Sequence, residues 1–287
     1  VRRPCAAGSL AALSLLLALS GCARSPEAAR RKLEGDGIAF TPAEFVRRAG
    51  TDPWRTLELF LRAGMSPDIK ADVERMEGVT ALMVAARAGR EDVARNLRDW
   101  GARVDVQTRQ GDTALIYAAS GSWPAIVQFL VRSGADPNQS NRLGETALMR
   151  AIPAPWPQQD EQRAVDGINA LLAGGAQIDA RAPDGATALH AAIARAQLRV
   201  VKLLLLRGAD PNLAGGRQNA SPLMHAVQAD LPEVAAALLR SGADPAEPGL
   251  WEAVQGGLRS HGPAMRETLR NGGVPEPPTS AGARISP

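Results

Sequence analysis

Side chains able to ligate a metal or act as strong nucleophiles are few in this sequence of 287 residues: three histidines (His190, His225, His261) and two cysteines (Cys5, Cys22). Zinc requires several nitrogen or sulfur ligands converging at short spacing. His225 and His261 are isolated from each other and from any cysteine, so no metal site is expected. Carboxylates offer a second chemistry, since a pair held about 5–10 Å apart can cleave a glycosidic bond. Asp136, Asp210 and Asp244 each sit in the same Gly-Ala-Asp-Pro segment, one per segment. An aspartate in that setting bonds its own backbone and shapes a turn. The sequence also carries neither a glycine-rich phosphate loop nor a Gly-x-Ser-x-Gly nucleophile elbow. Catalytic residues, a cofactor and enzymatic activity are therefore not expected.

Cysteine chemistry is decided at the start of the chain. Arg2 and Arg3 precede an uncharged apolar stretch, Leu10 to Leu19, which ends in Leu19-Ser20-Gly21-Cys22. The stretch is well short of the roughly 20 residues that span a bilayer. A charged start, a short apolar core and small residues at the end form the pattern of a secretory signal. The last four residues resemble the bacterial lipobox. That resemblance implies that residues 1–21 are a lipoprotein signal peptide, that Cys5 leaves with it, and that Cys22 carries lipid. No thiol or disulfide would then remain, which suits an oxidising compartment. Lipid on Cys22 would be the sole membrane attachment, and the absence of Asp after Cys22 resembles lipoproteins sent to the outer membrane. The expected location is the bacterial cell envelope, lipid-anchored and facing the periplasm.

Charge excludes another class. The chain has 33 Lys and Arg against 30 Asp and Glu, and without Arg2 and Arg3 the excess is a single positive charge. Nucleic-acid binding needs basic residues gathered on one face, and no basic run or aromatic stacking series is present. No nucleic-acid partner is expected.

The elements that position the remaining side chains follow from an internal repeat. Gly78-Val-Thr-Ala-Leu-Met, Gly111-Asp-Thr-Ala-Leu-Ile, Gly144-Glu-Thr-Ala-Leu-Met and Gly185-Ala-Thr-Ala-Leu-His recur, followed by Asn219-Ala-Ser-Pro-Leu-Met. The aligned hydroxyls Thr80, Thr113, Thr146, Thr187 and Ser221 are spaced by 33, 33, 41 and 34 residues. A second series keeps the same register: Gly101-Ala, Gly134-Ala-Asp-Pro-Asn, Gly175-Ala, Gly208-Ala-Asp-Pro-Asn and Gly242-Ala-Asp-Pro. Thr or Ser opens an inner helix, its oxygen accepting from an otherwise unpaired backbone N–H for about 1 kcal/mol. Val200, Val201, Leu204 and Leu205 lie at helical spacing on a second helix, and Gly208 ends it in the left-handed conformation.

This period and opening resemble the ankyrin repeat, over roughly residues 40–273. The resemblance implies an all-α solenoid of stacked helix-turn-helix units with short turn or hairpin tips. Five clear repeats are expected between two degenerate caps, around Phe45, Trp54 and Phe60 and around Leu250, Trp251, Met265 and Leu269. One unit cannot bury its own apolar face, so stability must come from stacking. Residues 22–39 are expected to be a charged tether and residues 274–287 a disordered tail. His190 occupies the family's own histidine position, which implies a hydrogen-bonded tie between adjacent repeats.

Proteins of this kind usually bind through the tips and the exposed side of the inner helices. A monomeric scaffold for a protein partner is the expected function. Between framework positions lie Gln107, Arg109, Gln110 and Asp112, then Arg142, Leu143 and Glu145, then Arg181 and Asp184; the inner helices add Tyr117 and Arg150. Tyr and Arg are frequent interface anchors. The fourth repeat carries about eight extra residues, with Trp156 among three prolines in the expected loop Ile152–Asp160. Trp156 is either an exposed anchor or a lid on neighbouring helices, and Trp123 sits in the equivalent turn one repeat earlier. Similar exported bacterial proteins suggest support of a periplasmic enzyme such as a catalase. The alternative is an immunity or inhibitor protein against a periplasmic toxin. A contrasting expectation is a small-ligand protein or enzyme using Tyr117, Arg150 and His190 around one pocket.

Overall fold

The computed structural model describes residues 25–152, 158–216, 218–257 and 262–275. Its elements alternate between two stacked layers. The inner layer is α2 (Pro42–Arg48), α4 (Ala81–Arg87), α6 (Ala114–Ser120), α8 (Ala147–Arg150), α10 (Ala188–Ala194), α12 (Pro222–Gln228) and α14 (Leu250–Gly257). The outer layer is α1 (Pro26–Gly35), α3 (Trp54–Arg62), α5 (Glu91–Asp99), α7 (Pro124–Arg132), α9 (Gln158–Ala173), α11 (Leu198–Leu206), α13 (Pro232–Arg240) and α15 (Gly262–Asn271). Within each layer a helix packs on its predecessor and successor, except that α9 lies closely on α7 and makes only thin contact with α11.

Hydroxyl caps start four of the five repeat inner helices as the pattern predicts, whereas Thr187 Oγ1 meets His190 Nδ1 at 3.0 Å instead of a backbone N–H. Thr80 Oγ1 accepts from Met83 N at 3.4 Å, Thr113 from Ile116 at 3.2 Å, Thr146 from Met149 at 3.5 Å and Ser221 from Met224 at 3.0 Å. Outer helices end on Gly101, Gly134, Gly175, Gly208 and Gly242, all near φ +90°. The alanine after each glycine bonds back to a leucine carbonyl five residues earlier, as Ala209 N does to Leu204 O at 3.0 Å. This six-to-one closure satisfies carbonyls that a helix end would leave bare. Small residues set the spacing of the inner layer: Ala85, Ala86, Ala118, Ala119, Ala192 and Ala226 are all buried, and one apolar core runs from Leu33 to Val274.

Both ends differ from the expected tether and tail. Helix α1 is capped by Ser25, buries Ala29 and Leu33, and packs on α3. The Arg30 guanidinium lies 4.5 Å from the Phe40 ring centre, and Phe40 stacks on Phe60 at 5.8 Å. Residues 26–39 therefore close the stack rather than lead to it, because the outer layer would otherwise leave the aromatic face of the first repeat open to water. At the other end Val274 is buried and its N–H bonds to Leu269 O, while Trp251 Nε1 donates to Pro275 O at 2.7 Å. The ordered cap thus includes Val274 and Pro275.

Two repeats depart from the common form. The first tip is an antiparallel hairpin, β1 (Ala71–Val73) and β2 (Met76–Val79), with Val73 opposite Met76 and Glu74 at φ 53°. In the fourth repeat α8 has only 4 residues where its neighbours have 7, and α9 extends to 16. Gln158, Gln159 and Asp160, expected in a loop, open this longer outer helix. Arg195 of the next repeat supplies Nη1 to the Ile152 carbonyl at 2.7 Å, capping the shortened inner helix.

Candidate partner-binding surface

The turn aspartates behave as backbone braces. Asp136 Oδ1 accepts from Asn138 N at 2.9 Å, Asp210 from Asn212 N at 2.8 Å and Asp244 from Ala246 N at 2.9 Å. The asparagine of each Asp-Pro-Asn then reaches the next repeat: Asn138 Nδ2 donates to Gly175 O at 3.0 Å and its Oδ1 accepts from Gln177 N at 2.7 Å, and Asn212 makes the matching pair with Gly242 and Asp244. These tips are consequently tied along the stack, which presents their outward side chains on a rigid base.

Most tip residues singled out by the sequence are engaged within that base. Arg109 is exposed but bridges to Glu77 at 3.2 Å and to Asp72 at 3.5 Å across a cleft of about 330 Å³ lined also by Lys70, Gly78 and Thr108. Gln107 Nε2 donates to Gly111 O, and Gln110 O accepts from Arg142 N at 2.9 Å. Asp112 accepts from Asn141 Nδ2 at 2.9 Å; Glu145 accepts from the same amide at 3.2 Å and from Arg150 at 3.4 Å. Arg181 donates to Ala214 O at 2.6 Å, and Asp184 accepts from Ala186 N at 3.0 Å. Arg142 is exposed and, among the described residues, its guanidinium has no partner. Trp156 lies outside the described residues, as does Cys22.

The inner helices bring a second set together. The fourth helical residue of successive repeats is Val84, Tyr117, Arg150, Ala191 and His225; the seventh is Arg87, Ser120, Ala194 and Gln228 where the helix is full length. Tyr117 is half-buried, flanked by Arg87 from α4 and Arg150 from α8. Burial, aided by Asp112, holds its hydroxyl above the ordinary phenol range against the pull of both guanidiniums. It therefore stays neutral and able to donate. Arg87 is absent from the tip-based reading of the sequence; its position three residues beyond Val84, on the open side of the same helix, is the signal that finds it.

His190 does not share this surface. It is 3% exposed; its Nδ1 accepts from Thr187 N at 3.2 Å and its Nε2 lies 3.4 Å from Ala220 O in the next repeat. Its ring is committed to joining repeats, so it cannot complete a pocket with Tyr117 and Arg150. Trp123 is also structural. Its ring lies over Gly89 and Gly121, where an added Cβ would fall 2.7 and 2.5 Å from it, and its Nε1 donates to Arg87 O at 3.1 Å.

The family described as "Ankyrin repeats (3 copies)" matches residues 101–155 and 159–248, and the single "Ankyrin repeat" matches residues 77–109. Together these matches cover more than half of the sequence. The chain belongs to the ankyrin-repeat family. A crystal structure of an ankyrin repeat domain from Acinetobacter baumannii AYE is 30% identical, with a TM-score of 0.59 over 70% of this chain and 98% of that one. No curated protein matches. Ankyrin repeats generally mediate protein–protein interaction, and proteins built from them are typically non-enzymatic scaffolds. In this ankyrin domain the shared frame fixes the opening Thr or Ser and the closing Gly-Ala, while the tip side chains and the fourth and seventh inner-helix positions change from repeat to repeat.

Proposed function

We propose that this protein is a scaffold that binds a protein partner through the inner-helix face and adjoining tips, held at the bacterial envelope by lipid on Cys22. The observation that carries the binding role is the row Arg87, Tyr117, Arg150, with Arg142 beside it at the tip. These are large side chains on a braced frame, with few internal partners to give up on binding. Rigid presentation lowers the ordering cost of association, and Tyr and Arg carry a disproportionate share of interface energy. The lipobox-like Leu19-Ser20-Gly21-Cys22 supports the anchor. Among the described residues no helix is long and apolar enough to cross a membrane. The reading places the domain in the periplasm, on the outer membrane.

Two experiments test this. Cells expressing the full chain are labelled with radioactive palmitate; the native chain should take up label and sediment with membranes, and Cys22→Ala should do neither. Equal labelling of both chains would contradict the anchor. For the binding role, capture from solubilised envelopes is compared between the native chain and a Tyr117→Ala/Arg142→Glu/Arg150→Glu variant of equal helicity by circular dichroism. One protein retained stoichiometrically by the native chain and lost with the variant is the expected result; the same set of proteins with both would contradict it.

A further inference from the structure

Charge is divided unevenly between the tips and the inner-helix face. At the tips acids and bases are interleaved and paired, as in Arg109 with Asp72 and Glu77 or Arg103 with Asp68 at 2.9 Å. The fourth and seventh inner-helix positions of α4, α6, α8, α10 and α12 contain two arginines, one tyrosine and one histidine, and no carboxylate. Arg87 makes its side-chain contact with a thioether, its Nη1 2.9 Å from Met76 Sδ. Arg150 holds only a long 3.4 Å bridge to Glu145, a carboxylate shared with Asn141. Neither cation is neutralised by a close, dedicated acid. Pairs this exposed contribute about 0–1 kcal/mol, so exchanging Glu145 for a partner's carboxylate costs Arg150 little.

We infer that this face receives an acidic, extended segment of a protein partner, with carboxylates meeting Arg87 and Arg150 and an intervening residue lying on Tyr117; this rests on the protein-binding reading above and supplies the partner's chemistry. The spacing suits such an occupant. Stacked helices lie about 8–10 Å apart, so α4 and α8 are separated by roughly 20 Å, which an extended chain crosses in about six residues. Arg87 and Arg150 provide charge-assisted donors at the two ends, and the neutral Tyr117 hydroxyl, without a hydrogen-bond partner among the described residues, provides a third between them. Single-stranded nucleic acid is the poorer fit, because it needs a series of aromatic platforms and this row offers one.

The test is selection of nine-residue peptides from a random displayed library on the immobilised full-length chain, followed by titration of the winners by fluorescence anisotropy. Enrichment of Asp and Glu is expected, with affinity that falls as salt rises. Arg87→Glu/Arg150→Glu should weaken binding on the order of tenfold or more, as loss of close charge pairs does at interfaces. Lys202→Glu/Arg207→Glu on the outer layer should leave it unchanged. Should the double charge reversal lower helicity, Arg87→Gln/Arg150→Gln replaces it with the same expectation. Peptides selected without acidic bias, or indifferent to the arginine changes, would overturn the acidic-partner inference while leaving the scaffold reading intact. Failure of the chain to retain any peptide or envelope protein would overturn both. A twenty-residue oligothymidylate binding as tightly as the best peptide would also overturn it, pointing to polyanion rather than protein recognition.

Discussion

Trp123 Nε1 donates to the carbonyl oxygen of Arg87 at 3.1 Å, fastening the turn of one repeat to the inner helix of the one before. The ring fills the space over Gly89 and Gly121, and Arg163 lies 5.8 Å from its centre. Trp123 is thus a structural pin at the end of the helix that presents Arg87. Trp123→Phe should lose about 1 kcal/mol for the hydrogen bond. Gly121→Ala should lose about 1–3 kcal/mol by overpacking against the ring. Combining Gly121→Ala with Trp123→Ala should cost less than the sum of the two single changes. Urea unfolding of the four chains measures this; strict additivity would mean that the ring and Gly121 do not meet.

Helix α1 makes a second test. Leu33 is fully buried against the first repeat, so Leu33→Ala should destabilise the domain by about 2–5 kcal/mol. A flexible leader would show no change in the unfolding midpoint.

Backbone strain gives a prediction of opposite sign. The turn from inner to outer helix needs a left-handed residue, supplied by Gly89 in one repeat and by Ser122, Ala196 and Asp230 in others, at φ 55°, 55° and 56°. A side chain in that region costs roughly 1–2 kcal/mol, partly offset by the entropy glycine adds to the unfolded chain. Ala196→Gly should therefore stabilise by about 0.5–1 kcal/mol in thermal or urea unfolding. A loss of stability would contradict the assigned turn.

The paired histidines predict the pH response. Burial holds His190 below the ordinary histidine value of 6.5, with His225 and Arg181 acting in the same direction and the Ala220 carbonyl and Asp184 opposing. Burial also lowers His225, whose ring centre is 5.2 Å from that of His190, and Glu247 opposes it. A histidine depressed in the fold favours the neutral native state, so its contribution is complete above the unfolded value and is lost as pH falls through the folded one. The melting temperature should drop between pH 7.5 and pH 5.5. The drop should shrink in His190→Met/His225→Ala, which places at each site the residue found in a neighbouring repeat. An unchanged pH dependence would show that these rings do not set it.

The solenoid was legible because its rules are local. Thr80, Thr113 and Ser221 announce helix starts, and Gly134 and Gly208 announce helix ends, within a few residues of the bonds they make. Helix α1 was not legible because half of Pro26–Gly35 is charged, and its two buried residues, Ala29 and Leu33, mark a face whose partner lies in α3. The candidate surface was half legible for a related reason. Variation between repeats identifies outward positions, but pairing across repeats decides which remain available. Arg109 is held by Asp72 and Glu77, Arg181 by Ala214, each more than 30 residues away. That is tertiary information which no local pattern carries. Arg87 does not stand out in the repeat pattern because its equivalents Ser120, Ala194 and Gln228 share no chemistry with it.

The central claim, that the inner-helix face holds a protein partner, is tested most directly by photocrosslinking in the producing cell. A benzophenone amino acid is placed at position 117 or 150, or at position 202 on the outer layer, and the adducts are identified by mass spectrometry. The account predicts that positions 117 and 150 yield adducts of one and the same protein and that position 202 does not. Adducts of that protein from position 202 alone, or none from any inner-face position, would contradict it.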